Sequence, residues 1–177
     1  PLMAKLKKED LLLRLEDAYR RHSKPDFIPN DPIQIPHRFS KKEDIEIAGF
    51  LAATIAWGQR KTIINNAHRM MEAMDHAPHD FIVNHQSADR MRFKGFVHRT
   101  FNEVDAMYFM EVLQHLYVCE QGLEGAFIEK PDVDAKERIS HFHQQFFSIE
   151  HLPRTKKHVS NPIKGSSAKR LNMYLRW

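Results

Sequence analysis

Residues 40–58 have the sequence SKKEDIEIAGFLAATIAWG, and this stretch decides the class of the fold. Ser40 followed three residues later by Glu43 is the pattern of a capping box, which predicts that a helix begins at Ser40. After its first turn the stretch is apolar on nearly every side, which is typical of a helix buried among other elements. Gly58 is a typical helix-stop residue. The sequence therefore predicts a central buried helix that ends at Gly58.

Helical patterns continue on both sides of this stretch. On the N-terminal side, leucines at helical spacing between Lys5 and His22 predict an amphipathic surface helix. On the C-terminal side, apolar spacing and stop residues predict helices over 62–74, 78–84, 87–92, 103–121, 123–129 and 134–149. The chain has only 6 glycines among 177 residues, whereas an all-β fold needs many tight turns. We therefore predict an all-α fold, a multi-helix bundle formed as a single helical unit over residues 1–177.

Two segments depart from this helical pattern. Residues 24–39 hold four of the nine prolines, and proline both removes a backbone donor and restricts the residue before it. We therefore predict an extended connector over 24–39. At the other end, Leu175-Arg176-Trp177 closes the chain inside an amphipathic pattern that has no helix terminator. This pattern predicts that the helical unit is truncated at its C-terminus.

The sequence lacks the signals of several classes of protein. Cys119 is the single cysteine, so no internal disulfide can form, which is typical of a reducing compartment such as the cytoplasm. No apolar run approaches the roughly 18 residues that cross a bilayer, so we expect no membrane partner. No glycine-rich nucleotide-binding motif occurs, and His141-x-His143 places its two rings on different faces of a helix. We therefore expect neither a small-molecule cofactor nor a bound metal.

Positive charge is concentrated in the last 27 residues. The segment 151–177 has seven basic residues and no acidic one, whereas the remaining 150 residues have 20 basic and 23 acidic side chains. The basic residues are Arg154, Lys156, Lys157, Lys164, Lys169, Arg170 and Arg176. Such a segment is typical of a protein that binds a polyanion. The alternative is a solvated basic segment whose charge is balanced by acidic residues elsewhere.

The most informative part of this basic segment is residues 161–170, NPIKGSSAKR, which predict a hairpin-like turn that leads into a final helix. Free backbone N–H groups at a helix start, together with the helix dipole, bind phosphate. Lys169 is expected in the first turn beside Arg170. A lysine near other cations loses its proton more easily and can become an amine nucleophile. The alternative is a capped surface helix with an ordinary lysine.

The segment from Ile163-Lys164-Gly165 through Lys169 to Tyr174-Leu175-Arg176 resembles the helix-hairpin-helix of the 8-oxoguanine DNA glycosylases, in their bacterial and archaeal branch. The resemblance implies a helix-hairpin-helix glycosylase fold, DNA as the partner and damaged or modified bases as the substrate. It also implies that Lys169 attacks C1′ of the damaged nucleotide's sugar and forms a Schiff base. The DNA contacts that it implies on this segment are Lys164, Gly165, Ser166, Ser167, Arg170 and Arg176.

A second resemblance to the same superfamily covers residues 50–59, FLAATIAWGQ. It is similar to the buried helix and glutamine that enter the duplex, which implies that Gln59 fills space near the flipped base. Arg60 and Lys61 follow directly, and we expect them at the DNA as well. The chain as a whole resembles an uncharacterised bacterial family, a domain of unknown function whose members continue past Trp177.

The chain departs from the glycosylase pattern at two points. The family's hairpin has Gly-x-Gly, whereas this chain has Gly165-Ser166-Ser167, and the second glycine lets backbone amides approach phosphate closely. The family also uses an aspartate downstream of the lysine, and this chain ends eight residues after Lys169. The expected function is therefore a DNA-glycosylase-like protein whose chain lacks the second catalytic residue.

Two other functions remain open from the sequence. A non-catalytic nucleic-acid-binding module would keep the scaffold and the basic end, and a helical scaffold for protein partners would place the basic segment against an acidic surface. Residues 90–101 interleave phenylalanines with basic residues, so they could stack bases. The same phenylalanines could instead anchor a loop to the core, which is the interpretation that we favour.

Overall fold

Helices account for most of the regular structure of this chain, whose computed structural model describes residues 7–128 and 133–177. In these residues the α-helices are α1 (Lys8–His22), α2 (Lys42–Thr54), α3 (Arg60–Ala73), α4 (Pro78–Asn84), α5 (Glu103–Cys119), α6 (Gly122–Phe127), α7 (Ala135–Phe146) and α8 (Lys169–Tyr174). Strands β1 (Val97–His98) and β2 (Phe101–Asn102) pair antiparallel. The predicted all-α class is confirmed. The hairpin was not predicted, because two-residue strands are too short to show an alternating pattern.

Helix α2 is buried at the centre of the structure, as predicted. Every residue from Ile47 to Thr54 is buried, and α2 packs against α3, α4, α6 and α8. Its Phe50 ring has four aromatic neighbours within 5.4 to 5.7 Å between ring centroids, contributed by α5, α7 and α8. Burial of one such side chain stabilises the fold by about 2 kcal/mol. The apolar sequence of α2 is thus the centre of the core.

Both ends of α2 differ from the prediction. The capping box is not formed, because the helix begins at Lys42 after Lys41, and no side chain caps it. The helix ends at Thr54 instead of continuing to Gly58, although Gly58 does adopt a left-handed φ of 106°. The carbonyl of Thr54 accepts a hydrogen bond from the Arg170 side chain, and that of Trp57 accepts one from His98. Side chains from distant parts of the chain therefore satisfy carbonyls at and after the end of the helix.

The segment 24–39 differs from the extended connector that we predicted. It forms three short 3₁₀ helices, Pro25–Asn30, Pro32–Gln34 and Pro36–Arg38. Each begins with a proline, whose fixed φ suits the first helical position. The N–H that proline lacks would have no intrahelical acceptor at that position, so no hydrogen bond is lost. Pro32, Ile35 and Pro36 are buried, and the last two 3₁₀ helices pack against α2.

Helix α1 lies within the predicted range, but it buries none of its residues. Its leucines are 46 to 70% exposed, so its apolar face covers no part of the core. Over the described ranges of the chain, none of the helices has both the length and the apolar character that crossing a membrane requires.

Helix α4 has the predicted bounds, 78–84, whereas the other predicted helical segments have shifted ends. Helix α3 begins at Arg60, before the predicted start, and α5 ends at Cys119. Gly122 opens α6, which ends at Phe127, and residue 129 of that prediction lies outside the described residues. Residues 87–92 give a 3₁₀ helix, Asp89–Phe93, and Asp134 caps α7.

The phenylalanines of residues 90–101 anchor a loop to the core. Phe93, Phe96 and Phe101 are at most 4% exposed, and the rings of Phe96 and Phe101 contact each other edge to face. Buried rings cannot stack bases. The interpretation that these phenylalanines anchor a loop to the core is therefore confirmed.

Candidate nucleic-acid interface

The basic segment contains a turn and a final helix at the predicted positions. Pro162–Lys164 forms a 3₁₀ helix, Gly165 follows in the left-handed region with φ of 84°, and α8 begins at Lys169. The Ser166 hydroxyl accepts a hydrogen bond from the Ala168 N–H at 3.1 Å. Ala168, with φ of 44°, takes the second left-handed position, so Ser167 does not need the backbone freedom of a glycine.

Lys169 is the first residue of α8, and its side chain is exposed. Within residues 7–128 and 133–177, its amine has no carboxylate within salt-bridge distance and no hydrogen-bond partner. It is not among the residues that line a cavity of about 470 Å³, which lies between α2, α6, α7 and α8. The amine is thus open to a ligand that approaches from solvent, at the surface of the molecule.

Arg170 attaches the start of α8 to the end of α2. Its guanidinium lies 4.6 Å above the centroid of the Trp57 ring and donates hydrogen bonds to the carbonyls of Thr54 and Lys157. Burial lowers the pKa of Arg170 from its ordinary value, although an arginine stays charged at any physiological pH. A cation at the C-terminus of α2 also meets the negative end of the helix dipole.

The attachment brings two predicted DNA-binding segments together, which we call the α2–α8 junction, residues 54–61 and 164–170. These segments are far apart in the sequence, and the Arg170 contacts with Thr54 and Trp57 make them neighbours. The DNA contact predicted for Arg170 stays a prediction. Its guanidinium is engaged by the protein itself, so in the folded chain it holds the junction together.

The three predicted DNA contacts after Gly58 are all exposed. Gln59 precedes the first residue of α3, but its side chain makes no capping hydrogen bond. Arg60 lies over the Phe27 ring at 5.6 Å, with Nε 3.8 Å from an Asp31 carboxylate oxygen. In the described part of the chain, the side chains of Gln59 and Lys61 have no such partner.

The turn that carries these residues is held by a buried histidine that the sequence did not single out. Arg69 donates to the Asn66 side-chain oxygen at 3.1 Å, so the Asn66 amide nitrogen must donate to Nδ1 of His98, at 2.9 Å. His98 therefore has its proton on Nε2 and donates it to the Trp57 carbonyl at 3.0 Å. Burial lowers the pKa of His98, and the Arg99 charge lowers it further. The hydrogen bond to the Trp57 carbonyl acts in the opposite direction but is outweighed, so the neutral ring is favoured.

A buried carboxylate, Asp105, is the second feature that the sequence analysis missed. It accepts hydrogen bonds from the Thr155 hydroxyl at 2.8 Å and from the Asn102 N–H at 3.1 Å. Its other polar neighbours are Nη1 of Arg154 at 2.9 Å and Nε2 of His158 at 3.2 Å. Burial alone would raise the pKa of Asp105, but these donors, with His158 first, hold it below its ordinary value.

The Asp105 network attaches the 3₁₀ helix Pro153–His158 to the start of α5. The spacing Asn102-x-x-Asp105 is a capping pattern, and α5 begins at Glu103, where the sequence predicted the start of a helix. The partners of Asp105 on the basic segment leave no local signal, because they lie far along the chain.

The structure divides the seven basic residues of 151–177 into two groups. Arg154 and Arg170 are partly buried in the contacts described above. The other five are exposed, and none has a carboxylate within salt-bridge distance among the residues described. They are Lys156, Lys157, Lys164, Lys169 and Arg176. Five cations without an acidic partner in the described residues are thus available to a polyanion.

No group of three or more histidine, cysteine, aspartate or glutamate side chains in the described ranges could hold a metal ion. Comparison with known proteins gives a single finding. A family model with the description "Protein of unknown function (DUF2400)" matches residues 31–177, which leaves α1 outside the match. No curated protein and no solved structure matches the chain.

Proposed function

This chain belongs to the DUF2400 family of proteins of unknown function, and we propose that it binds DNA through the α2–α8 junction. The observation that supports the proposal is the contact of Arg170 with Thr54 and Trp57. It brings together the two segments that carry Gln59, Lys61, Lys164 and Lys169, and the side chains of these four residues are exposed. Basic side chains on one surface contact the phosphates of a duplex and release its counterions.

Salt-dependent binding of duplex DNA tests this proposal. The triple variant Lys61→Gln, Lys164→Gln, Lys169→Gln removes three cations from the junction. We expect weaker binding in fluorescence anisotropy and a log–log salt slope smaller by about 0.9 for each lost phosphate contact. The matched control is Lys7→Gln, Lys8→Gln, Lys24→Gln, which removes three exposed lysines at or beside α1. Equal losses in both triple variants, or no affinity for DNA at low salt, would contradict the proposal.

A second candidate function is the chemistry of a DNA glycosylase or lyase at Lys169, acting on a damaged or abasic site. The observation that favours it is the exposed amine at the start of α8, without an ion-pair partner in the described residues. At an abasic site the neutral amine adds to the C1′ aldehyde, and loss of one water leaves a Schiff base between Nζ and C1′. The Gln59 side chain, on the neighbouring turn, would fill the space of a flipped nucleotide.

Borohydride trapping on an abasic-site duplex tests the chemistry separately from binding. We expect a covalent adduct with the unmodified chain and its loss in Lys169→Arg, which keeps the charge but not the amine. Lys157→Arg, another exposed lysine of the basic segment, is the matched control and should keep the adduct. An adduct that survives Lys169→Arg removes Lys169 from the nucleophile role, while DNA binding at the junction is judged by the salt experiment alone.

A further inference from the structure

A second basic surface lies where the end of α7 meets the basic segment. The His143 ring, in the last turn of α7, lies 4.9 Å from the Phe147 ring, which in turn lies 5.0 Å from the His151 ring. The 3₁₀ helix that carries Lys164 packs directly against α7. We call the surface formed by His143, Phe147, His151, Lys156 and Lys164 the ring patch.

The rings of this patch are held by the protein and are also open to solvent. Phe147, His143 and His151 are partly exposed. Phe147 is stacked on the buried Tyr108 ring, at 5.9 Å with an angle of 4° between the planes. The Tyr108 hydroxyl donates to the Phe146 carbonyl at 2.5 Å, and His151 donates from Nδ1 to the Ile149 carbonyl at 2.7 Å. A ligand would therefore meet rings that are already oriented.

The charged groups that act on His143 are cationic. Burial, followed by the charges of Lys164, Lys156 and His151, lowers the pKa of His143. Lys156 lies on the 3₁₀ helix 153–158 and Lys164 on the 3₁₀ helix 162–164, while His151 lies on the loop after α7. The two lysines are exposed and have no acidic partner in the described residues. A ligand that suits this patch is an anion with a flat apolar surface.

We infer that the ring patch binds an unpaired nucleotide segment of DNA, with its phosphates at Lys156 and Lys164 and a base against the Phe147 ring. In a duplex the faces of the bases are covered by their neighbours, so only an unpaired base can offer one to an aromatic side chain. The inference rests on the proposed function and extends it. Lys164 belongs to both surfaces, so a strand that leaves the α2–α8 junction continues directly onto the ring patch.

Binding of a single-stranded probe tests the inference. The probe is a fluorescent oligothymidylate of roughly 16 nucleotides, the upper end of known site sizes. We expect Phe147→Leu, which keeps apolar volume but removes the ring, to weaken its binding about tenfold and to leave duplex binding unchanged. Lys156→Gln should weaken binding of the oligothymidylate as well. Tyr19→Leu, which removes an exposed ring on α1, and Lys24→Gln are the matched controls and should bind as the parent does.

The outcomes separate this inference from the proposed function. If Phe147→Leu binds the oligothymidylate like the parent while duplex binding still depends on the junction lysines, the ring patch is overturned and the proposed function stands. If neither probe binds, both are overturned. Circular dichroism checks that Phe147→Leu is folded. If this variant does not fold, Lys156→Gln, which changes only an exposed side chain, provides the test of the ring patch instead.

The pH dependence provides an independent measurement of the same site. His143 is neutral near pH 7 because of its lowered pKa, and protonation at lower pH adds a cation beside the phosphates. We expect oligothymidylate affinity to rise as pH falls below about 6.5, and to rise less in His143→Gln. An equal rise in both proteins would remove His143 from the patch.

Discussion

At the scale of single residues, the basic segment is attached to the rest of the molecule by a few buried polar side chains. Asp105 accepts a hydrogen bond from Thr155 and forms an ion pair with Arg154 on one 3₁₀ helix, and His158 of the same helix lies 3.2 Å away. Arg170 makes the equivalent attachment for α8. The exposed lysines between these attachments depend on them for their positions. The geometry of the candidate interface therefore depends on contacts inside the protein.

Replacement of the buried carboxylate tests this dependence. Asp105→Asn leaves Arg154 and His158 without their anion in a buried site, so we expect the free energy of unfolding to fall by about 3 kcal/mol. Because the pKa of Asp105 is lowered in the fold, its contribution is present above about pH 4 and is lost as pH falls further. Urea unfolding measures the loss. Asp26→Asn, an exposed carboxylate, should change stability by less than about 0.5 kcal/mol.

The neutral state of His98 predicts a loss of stability in mild acid. The pKa of His98 is lower in the fold than in the unfolded chain, so the unfolded chain binds more protons just below pH 6.5. The contribution is therefore present above about pH 6.5 and is lost as pH falls. We expect urea unfolding free energy to decrease from about pH 7 to pH 5, with a smaller decrease in His98→Gln. An identical pH slope in the two proteins would rule out His98 as the source.

At the scale of elements, α8 is only six residues long, and an isolated helix of that length is not stable in water. Its position comes from tertiary contacts, which are the Arg170 contacts and the Tyr174 ring against Phe50 and Gly49. Burial, with the Glu46 and Glu124 charges, raises the pKa of Tyr174, so the phenol stays neutral in the core. We therefore expect that replacement of a single contact residue, Arg170, is enough to destabilise α8.

Arg170→Met tests this at the level of the helix. The methionine keeps apolar contact with Trp57 but cannot donate to the Thr54 carbonyl, so we expect a loss of about 2 kcal/mol. Hydrogen exchange should increase in residues 54–58 and 169–174 before it increases in α5. Arg176→Met, an exposed arginine in the turn after α8, is the control and should leave exchange in both segments unchanged. Protection that is equal in the two variants would show that Arg170 does not hold the junction.

At the scale of the whole molecule, stability is concentrated around α2 and is absent from α1. Phe50 is fully buried among four rings, whereas no residue of α1 is buried and the family match begins at residue 31. Helix α1 therefore lies outside both the core and the part of the chain that the family shares. Its exposed leucines do not stabilise the rest of the fold.

Removal of residues 1–23 tests this division. We expect the free energy of unfolding to change by less than about 1 kcal/mol, because none of the described residues in this range, 7–23, is buried. Phe50→Ala in the full chain is the contrasting variant and should cost about 4 kcal/mol through the cavity that it leaves. A truncated protein that is destabilised as much as Phe50→Ala would mean that α1 packs on the fold in solution.

Local pattern was sufficient for the helices with a strong apolar period. The sequence alone identified α2 as the central buried helix, because an apolar surface on every side is a property of the helix itself. It also placed a turn and a helix start at Lys169, since the glycine and polar residues before it act within a few positions. Helix ends were predicted less well, because the carbonyls of Thr54 and Trp57 are satisfied by side chains from elsewhere.

What the sequence by itself determined is therefore the helical class, the core helix and the concentration of positive charge in residues 151–177. Only the tertiary structure decided which of those charges are available. Arg154 and Arg170 are cations like their neighbours, yet other parts of the protein engage them, whereas the lysines have no acidic partner in the described residues. The physical reason is that hydrogen bonds and ring contacts depend on distance in space. Residues such as Asp105 and His158 become neighbours only when the whole chain has folded.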